Sequence, residues 1–205
     1  MCWYGFYWQC NILVFNQLIL MTCAAVIVDN RPGIEPIIQA HEKYLPKDWD
    51  MLWVKNEQTN SAHEYNKLLT SKRFWRNMPD KVLIFQHDSM LLREGIEEFL
   101  EWDFIGAPIK HIPGCMNGGL SLRDSKAMLK VINHLPYSPR LGNCDIYFVN
   151  ALRQFNGRLP NKETAQKFSV ETEFHLGSVG YHAIDSYLTP TECKLIREQY
   201  KNWKL

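Results

Sequence analysis

Asp88 follows an apolar run, Val82-Leu83-Ile84-Phe85, and precedes another, Met90-Leu91-Leu92. A carboxylate at the end of a buried strand can hold a hard divalent cation, which in turn grips phosphate oxygens. The same residue type also caps turns. His182, in Gly180-Tyr181-His182, reads alone as structural; paired with Asp88 across a sheet end it would complete a metal site. Asp145, in Gly142-Asn143-Cys144-Asp145, opens a helical pattern, where the helix dipole favours a carboxylate. Facing a sugar hydroxyl, that carboxylate could act as a general base. Asn117-Gly118-Gly119 brings backbone N–H groups close to a ligand without side-chain bulk. It lacks a phosphate-loop pattern and reads equally as a plain hairpin turn. Arg123 is a candidate phosphate or carboxylate partner, or a surface charge. Asp29-Asn30-Arg31 closes a β-branched run. Glu171 and Glu173 alternate with Val170 and Thr172, which on a strand gives one solvated face.

The elements that must position these residues alternate in type. Ala24 to Val28, Asp50 to Val54 and Lys81 to Phe85 read as buried strands, and Phe104 to Pro108 as a strand end. Met116 to Leu122 reads as a glycine turn running into a short strand. Phe168 to Phe174 and the stretch around Tyr181 read as strand and loop. Helical spacing covers Ile34 to Tyr44, Ser61 to Phe74, Gly95 to Trp102, Asp124 to Leu135, Asp145 to Phe155 and Thr189 to Trp203. Ser61 with Glu64 three residues later forms a capping pattern; Thr189 before Pro190 forms another start signal. This alternation predicts an α/β fold with a mainly parallel sheet covered on both faces. Ligands bind such sheets beyond the carboxyl ends of the strands. No repeat, low-complexity tract or long linker interrupts the pattern, so residues 23–205 read as one domain.

The chain has 205 residues, 46% hydrophobic and 22% charged, with net charge +1. That is enough for a sizeable core and gives no reason to expect nucleic acid as a partner. The six cysteines form no CxxC pair and no zinc spacing. Their scatter points to free thiols in a reducing, cytoplasmic compartment. Residues 1–22 are an apolar extension. It has no basic leader and no small-residue cleavage site, and Asn11, Asn16 and Gln17 interrupt it. It reads as an element packed on the domain, a weak membrane anchor, or sequence upstream of a start at Met21.

These signals also occur together in a familiar order. The matching stretches are VIVDNRP (26–32), FW (74–75), VLIFQHDSMLL (82–92), EEFLEWDFIGAPI (97–109), MNGGLSLRDSKAML (116–129), NCDIYFVNAL (143–152), LPNKETAQKFSVET (159–172) and GYHAIDSYL (180–188). Through them the chain resembles a glycosyltransferase-like family, DUF5672, related to the GT-A enzymes. The resemblance implies a GT-A fold that takes a sugar from a nucleotide-diphosphate-sugar donor and passes it to a glycan or other hydroxyl acceptor.

It also implies a role at each matching position. Arg31 with Asp29 would lie near the nucleotide base. Asp88 would be the surviving acid of the metal-binding motif, and His182 the second ligand of a divalent cation, Mn²⁺ or Mg²⁺. Gly106 to Pro108 and Asn117 to Gly119 would shape the sugar and acceptor pocket. Asp145 would be the general base. The mechanism expected from these residues is an inverting direct displacement, with Arg123 helping the leaving group. The sequence departs from the usual motif in carrying one carboxylate in Gln86-His87-Asp88-Ser89, and Cys144 stands where many relatives carry an acid. Two other readings remain: a non-catalytic nucleotide-sugar or carbohydrate-binding module, and a nucleotidyltransferase. The latter needs several carboxylates for two metals, and the sequence around Asp88 lacks them.

Overall fold

The computed structural model describes residues 23–55 and 61–199; the expectations for residues 1–22 and for the end of the last helix lie outside them. The central sheet has five strands in the order β2-β1-β3-β6-β5: β1 (Cys23–Val28), β2 (Asp50–Val54), β3 (Lys81–Phe85), β5 (Phe104–Pro108) and β6 (Met116–Asp124). Every residue of β1 is buried, which suits a strand flanked on both edges and covered on both faces. Its run of small and β-branched residues supplies that without a polar position.

The sheet is mixed, not mainly parallel. β1 pairs parallel with β2 and β3, whereas β6 runs antiparallel to both β3 and β5. The loop between β5 and β6 is too short for a crossover helix, so β6 must double back on β5. It then inserts between β5 and β3. One consequence matters for the site. Reversal brings the amino end of β6 level with the carboxyl end of β3: Leu120 lies opposite Phe85, and Gln86 N donates to Gly119 O at 2.8 Å. The Asn117-Gly118-Gly119 segment is therefore part of a strand, not a turn.

Helices α1 (Glu35–Glu42), α2 (Ala62–Leu69), α3 (Lys72–Arg76), α4 (Ser125–His134), α5 (Cys144–Gln154), α6 (Lys162–Phe168) and α7 (Pro190–Glu198) complete the domain. The helix expected from Ser61 to Phe74 is split. Ser71 adopts an extended conformation and caps α3 by accepting from Phe74 N. A second sheet, in the order β4-β8-β7, joins β4 (Ser89–Leu91), β8 (Gly180–His182) and β7 (Ser169–Val170). Beneath it Leu92, Val170, Ile184, Cys193 and Ile196 form a small core of their own. Among the described residues the cysteines Cys23, Cys115, Cys144 and Cys193 are free and buried, and no helix is long and apolar enough to cross a membrane.

Candidate functional site

A cleft of about 680 Å³ opens where the carboxyl ends of β1 and β3 meet the amino ends of β6 and α5. Asp29, Arg31, Tyr65, Gln86, Asn117, Gly118, Gly119 and Asp145 all line it. On one wall, Asp29 is buried and accepts from Arg31 N at 2.8 Å and from Arg31 Nε at 3.0 Å. Burial opposes ionisation of Asp29, but the bonds and charge of Arg31 outweigh it and hold the carboxyl below its usual value. The Trp53 indole donates to Asp29 O at 2.8 Å, which fixes the end of β1. The Arg31 side chain remains half-exposed at the cleft.

The floor is built from β6 and the start of α5. Gly118 N donates to Asp145 Oδ2 at 3.1 Å, and Gly119 N donates to Asn117 Oδ1 at 2.6 Å. The glycine amides are thus already engaged and do not form the open N–H cradle that the sequence suggested. The second Asp145 oxygen accepts from Ile146 N at 2.8 Å. Asn66 anchors the helix start: its Oδ1 accepts from Cys144 N at 2.9 Å and its Nδ2 donates to Asn143 Oδ1 at 3.2 Å. Burial pushes the Cys144 thiol up to about 11, so it stays protonated at neutral pH and is no nucleophile.

Behind the floor lies a chain of polar groups. His182 Nδ1 is 3.0 Å from Glu171 Oε1, while its Nε2 is 3.0 Å from Gln86 Oε1 and 3.2 Å from Asp88 Oδ1. Burial disfavours the imidazolium, but the bonds and charges of Asp88 and Glu171 prevail and lift His182 to about 9. At neutral pH both ring nitrogens donate. Burial would raise Asp88, yet His182 holds it below the ordinary carboxylate value. Gln86 lines the cleft and so connects it to this chain.

Asp88 and His182 are therefore brought together, as pairing across a sheet end required. They stand behind Gly119 and Gln86 rather than in the cleft lining. Gly106 and Arg123 also stand outside that lining. Gly106 is buried in β5, where a Cβ would overlap Asn117 O; it allows the two strands to approach at the irregularity before Pro108. Arg123 is fully buried and is neither a surface charge nor a cleft residue. Its Nε donates to Ser121 Oγ at 2.9 Å and its Nη2 to Gly118 O at 3.2 Å. Its guanidinium centre lies 4.9 Å from the Phe104 ring centroid, within cation–π range. It supports the floor from below.

Sequence reasoning gave no site role to Glu171, Gln86, Tyr65 or Asn66. Glu171 was expected on a solvated face, but the strand ends at Val170 and Glu171 is buried against His182. Among the described residues, no group of three or more His, Cys, Asp and Glu has an arrangement that could hold a metal. The donors that do converge are an imidazole nitrogen, a carboxylate oxygen and an amide oxygen, from His182, Asp88 and Gln86. A cation bound by that set would have to displace the imidazole proton.

Residues 48–182 match the family described as Protein of unknown function (DUF5672). The chain belongs to that family. The DUF5672 region contains Asp88, Asn117, Gly118, Gly119, Asp145, Glu171 and His182, and leaves Asp29 and Arg31 before its start. No curated protein matches the chain. Among solved structures, a crystal structure of A197 from STIV aligns with 63% of this chain and 77% of its own, at 12% identity and a TM-score of 0.44. That likeness is too remote to add to the description of the fold.

Proposed function

We propose that this DUF5672 chain is a glycosyltransferase that moves a sugar from a nucleotide-diphosphate-sugar donor to a hydroxyl acceptor with inversion. The observation that carries the reading is convergence. One cleft at the carboxyl ends of the parallel strands gathers Asp29 with Arg31, the backbone of Asn117 to Gly119, and the carboxylate of Asp145. Asp145 takes the proton from the acceptor hydroxyl. That oxygen attacks the anomeric carbon, and the bond to the diphosphate breaks with its electron pair leaving on the nucleotide. Arg31 and Asp29 bind the nucleoside end. Asp88 and His182 would hold a divalent cation beside Gln86, at the edge of the cleft, where it would supply positive charge toward the leaving diphosphate. Arg123 acts only through the floor it supports.

A second reading is a binding module that holds the donor without transfer. Asp145 supports it, because its two oxygens already accept Gly118 N and Ile146 N, a clamp that a binding site would use as well. Proton NMR of the anomeric centre, with donor and a panel of acceptors, separates the two. Product of inverted configuration is expected. Retained configuration excludes direct displacement, and donor binding without turnover selects the module.

A further inference from the structure

Glu171 is 3% exposed, and its Oε1 lies 3.0 Å from His182 Nδ1. A buried ion pair is a poor means of stabilising a fold, since apolar side chains of the same volume do as well or better. This pair also has a direction. Glu171 takes Nδ1, which leaves Nε2 turned toward Gln86 Oε1 and Asp88 Oδ1. Space is cleared for the ring on that side: a Cβ on Gly119 would overlap Nε2. Histidines that ligate metals almost always give their other ring N–H to a carboxylate or carbonyl, which sets tautomer and orientation. The same geometry is present here.

We propose that Glu171 is a positioning residue that locks the His182 imidazole with Nε2 presented to Gln86 and Asp88. The inference rests on the metal role given to Asp88 and His182 above, but its test does not depend on transfer. The proteins compared are the wild type, Glu171→Gln and Glu171→Ala, each first shown to be folded by thermal unfolding. Mn²⁺ alone is titrated by electron paramagnetic resonance, and the His182 Nδ1–H proton is followed by NMR in metal-free protein.

Glutamine can still accept from Nδ1–H, so Glu171→Gln should keep a slowly exchanging Nδ1–H and bind Mn²⁺ within a few-fold of wild type. Glu171→Ala should lose that resonance and bind Mn²⁺ about 10- to 100-fold more weakly. Wild-type Mn²⁺ affinity in Glu171→Ala overturns the proposal, as does Glu171→Gln behaving like Glu171→Ala. If the wild type itself binds no Mn²⁺, the metal reading fails. Positioning is then upheld by a resonance present in the wild type and absent in Glu171→Ala, and overturned if the two proteins are alike.

Discussion

Gly119 and His182 are packed so closely that a methyl group on the glycine would overlap the imidazole Nε2. The contact is with a side chain, not backbone, so the ring can yield by rotating. Gly119→Ala should therefore displace His182 from Gln86 and Asp88 at a modest stability cost of about 1–3 kcal/mol, typical of an added methyl in a packed site. Mn²⁺ affinity should fall at least as far as in Glu171→Ala. Urea unfolding combined with Mn²⁺ titration checks both halves.

Gly106 gives the contrast. A Cβ there would overlap the carbonyl oxygen of Asn117, and backbone between two paired strands cannot rotate away. Gly106→Ala should cost about 3 kcal/mol or more, seen as a lowered unfolding midpoint. Because Gly106 lies outside the cleft lining, variant protein that remains folded should keep measurable donor affinity, read by calorimetry.

Asp145 is tested by a nearly isosteric change. In Asp145→Asn the side-chain oxygen can still accept from Gly118 N, with the bond from Ile146 N lost, so the floor and most of the donor affinity should persist. The base is lost, and kcat should drop about 10²- to 10⁴-fold. An unchanged kcat would remove Asp145 as the base.

His41 predicts a pH dependence separate from the site. Its ring is buried, stacks on Phe85 with centroids 4.2 Å apart, and bonds Ile37 O at 2.8 Å. Burial lowers it from 6.5 to about 4. Between those values the unfolded chain binds more protons than the folded one, so the contribution is complete above pH 6.5 and is lost as pH falls toward 4. The loss approaches about 3 kcal/mol in all. Wild type should lose stability more steeply than His41→Phe across that window; parallel curves would refute the assignment.

The strands were largely legible because burial on both faces leaves an unbroken apolar run, as in Ala24 to Val28 and Val82 to Phe85. The direction of β6 was not, since hydrophobic pattern is the same whichever way a strand runs. That one reversal turned a supposed glycine turn into the cleft floor. Asp88 could be singled out from its place after an apolar run, and its pairing with His182 from the resemblance to the family. Their partner Glu171 could not, because alternating acids look alike whether they face solvent or a buried histidine. Arg123 misled for a related reason. A single basic residue in a strand signals surface, and only the rings of Trp75, Phe104 and Phe148 around it show how its charge is housed.

The central claim is that the cleft takes a nucleotide-diphosphate sugar. Thermal unfolding of the wild type and Asp88→Ala with a panel of such donors, with and without Mn²⁺, tests it most directly. A donor at 100 times its dissociation constant adds about 2.7 kcal/mol. The account predicts stabilisation by a donor, enhanced by Mn²⁺ in the wild type, with the enhancement lost in Asp88→Ala. No stabilisation of the wild type by any donor, with Mn²⁺ or without, would contradict it.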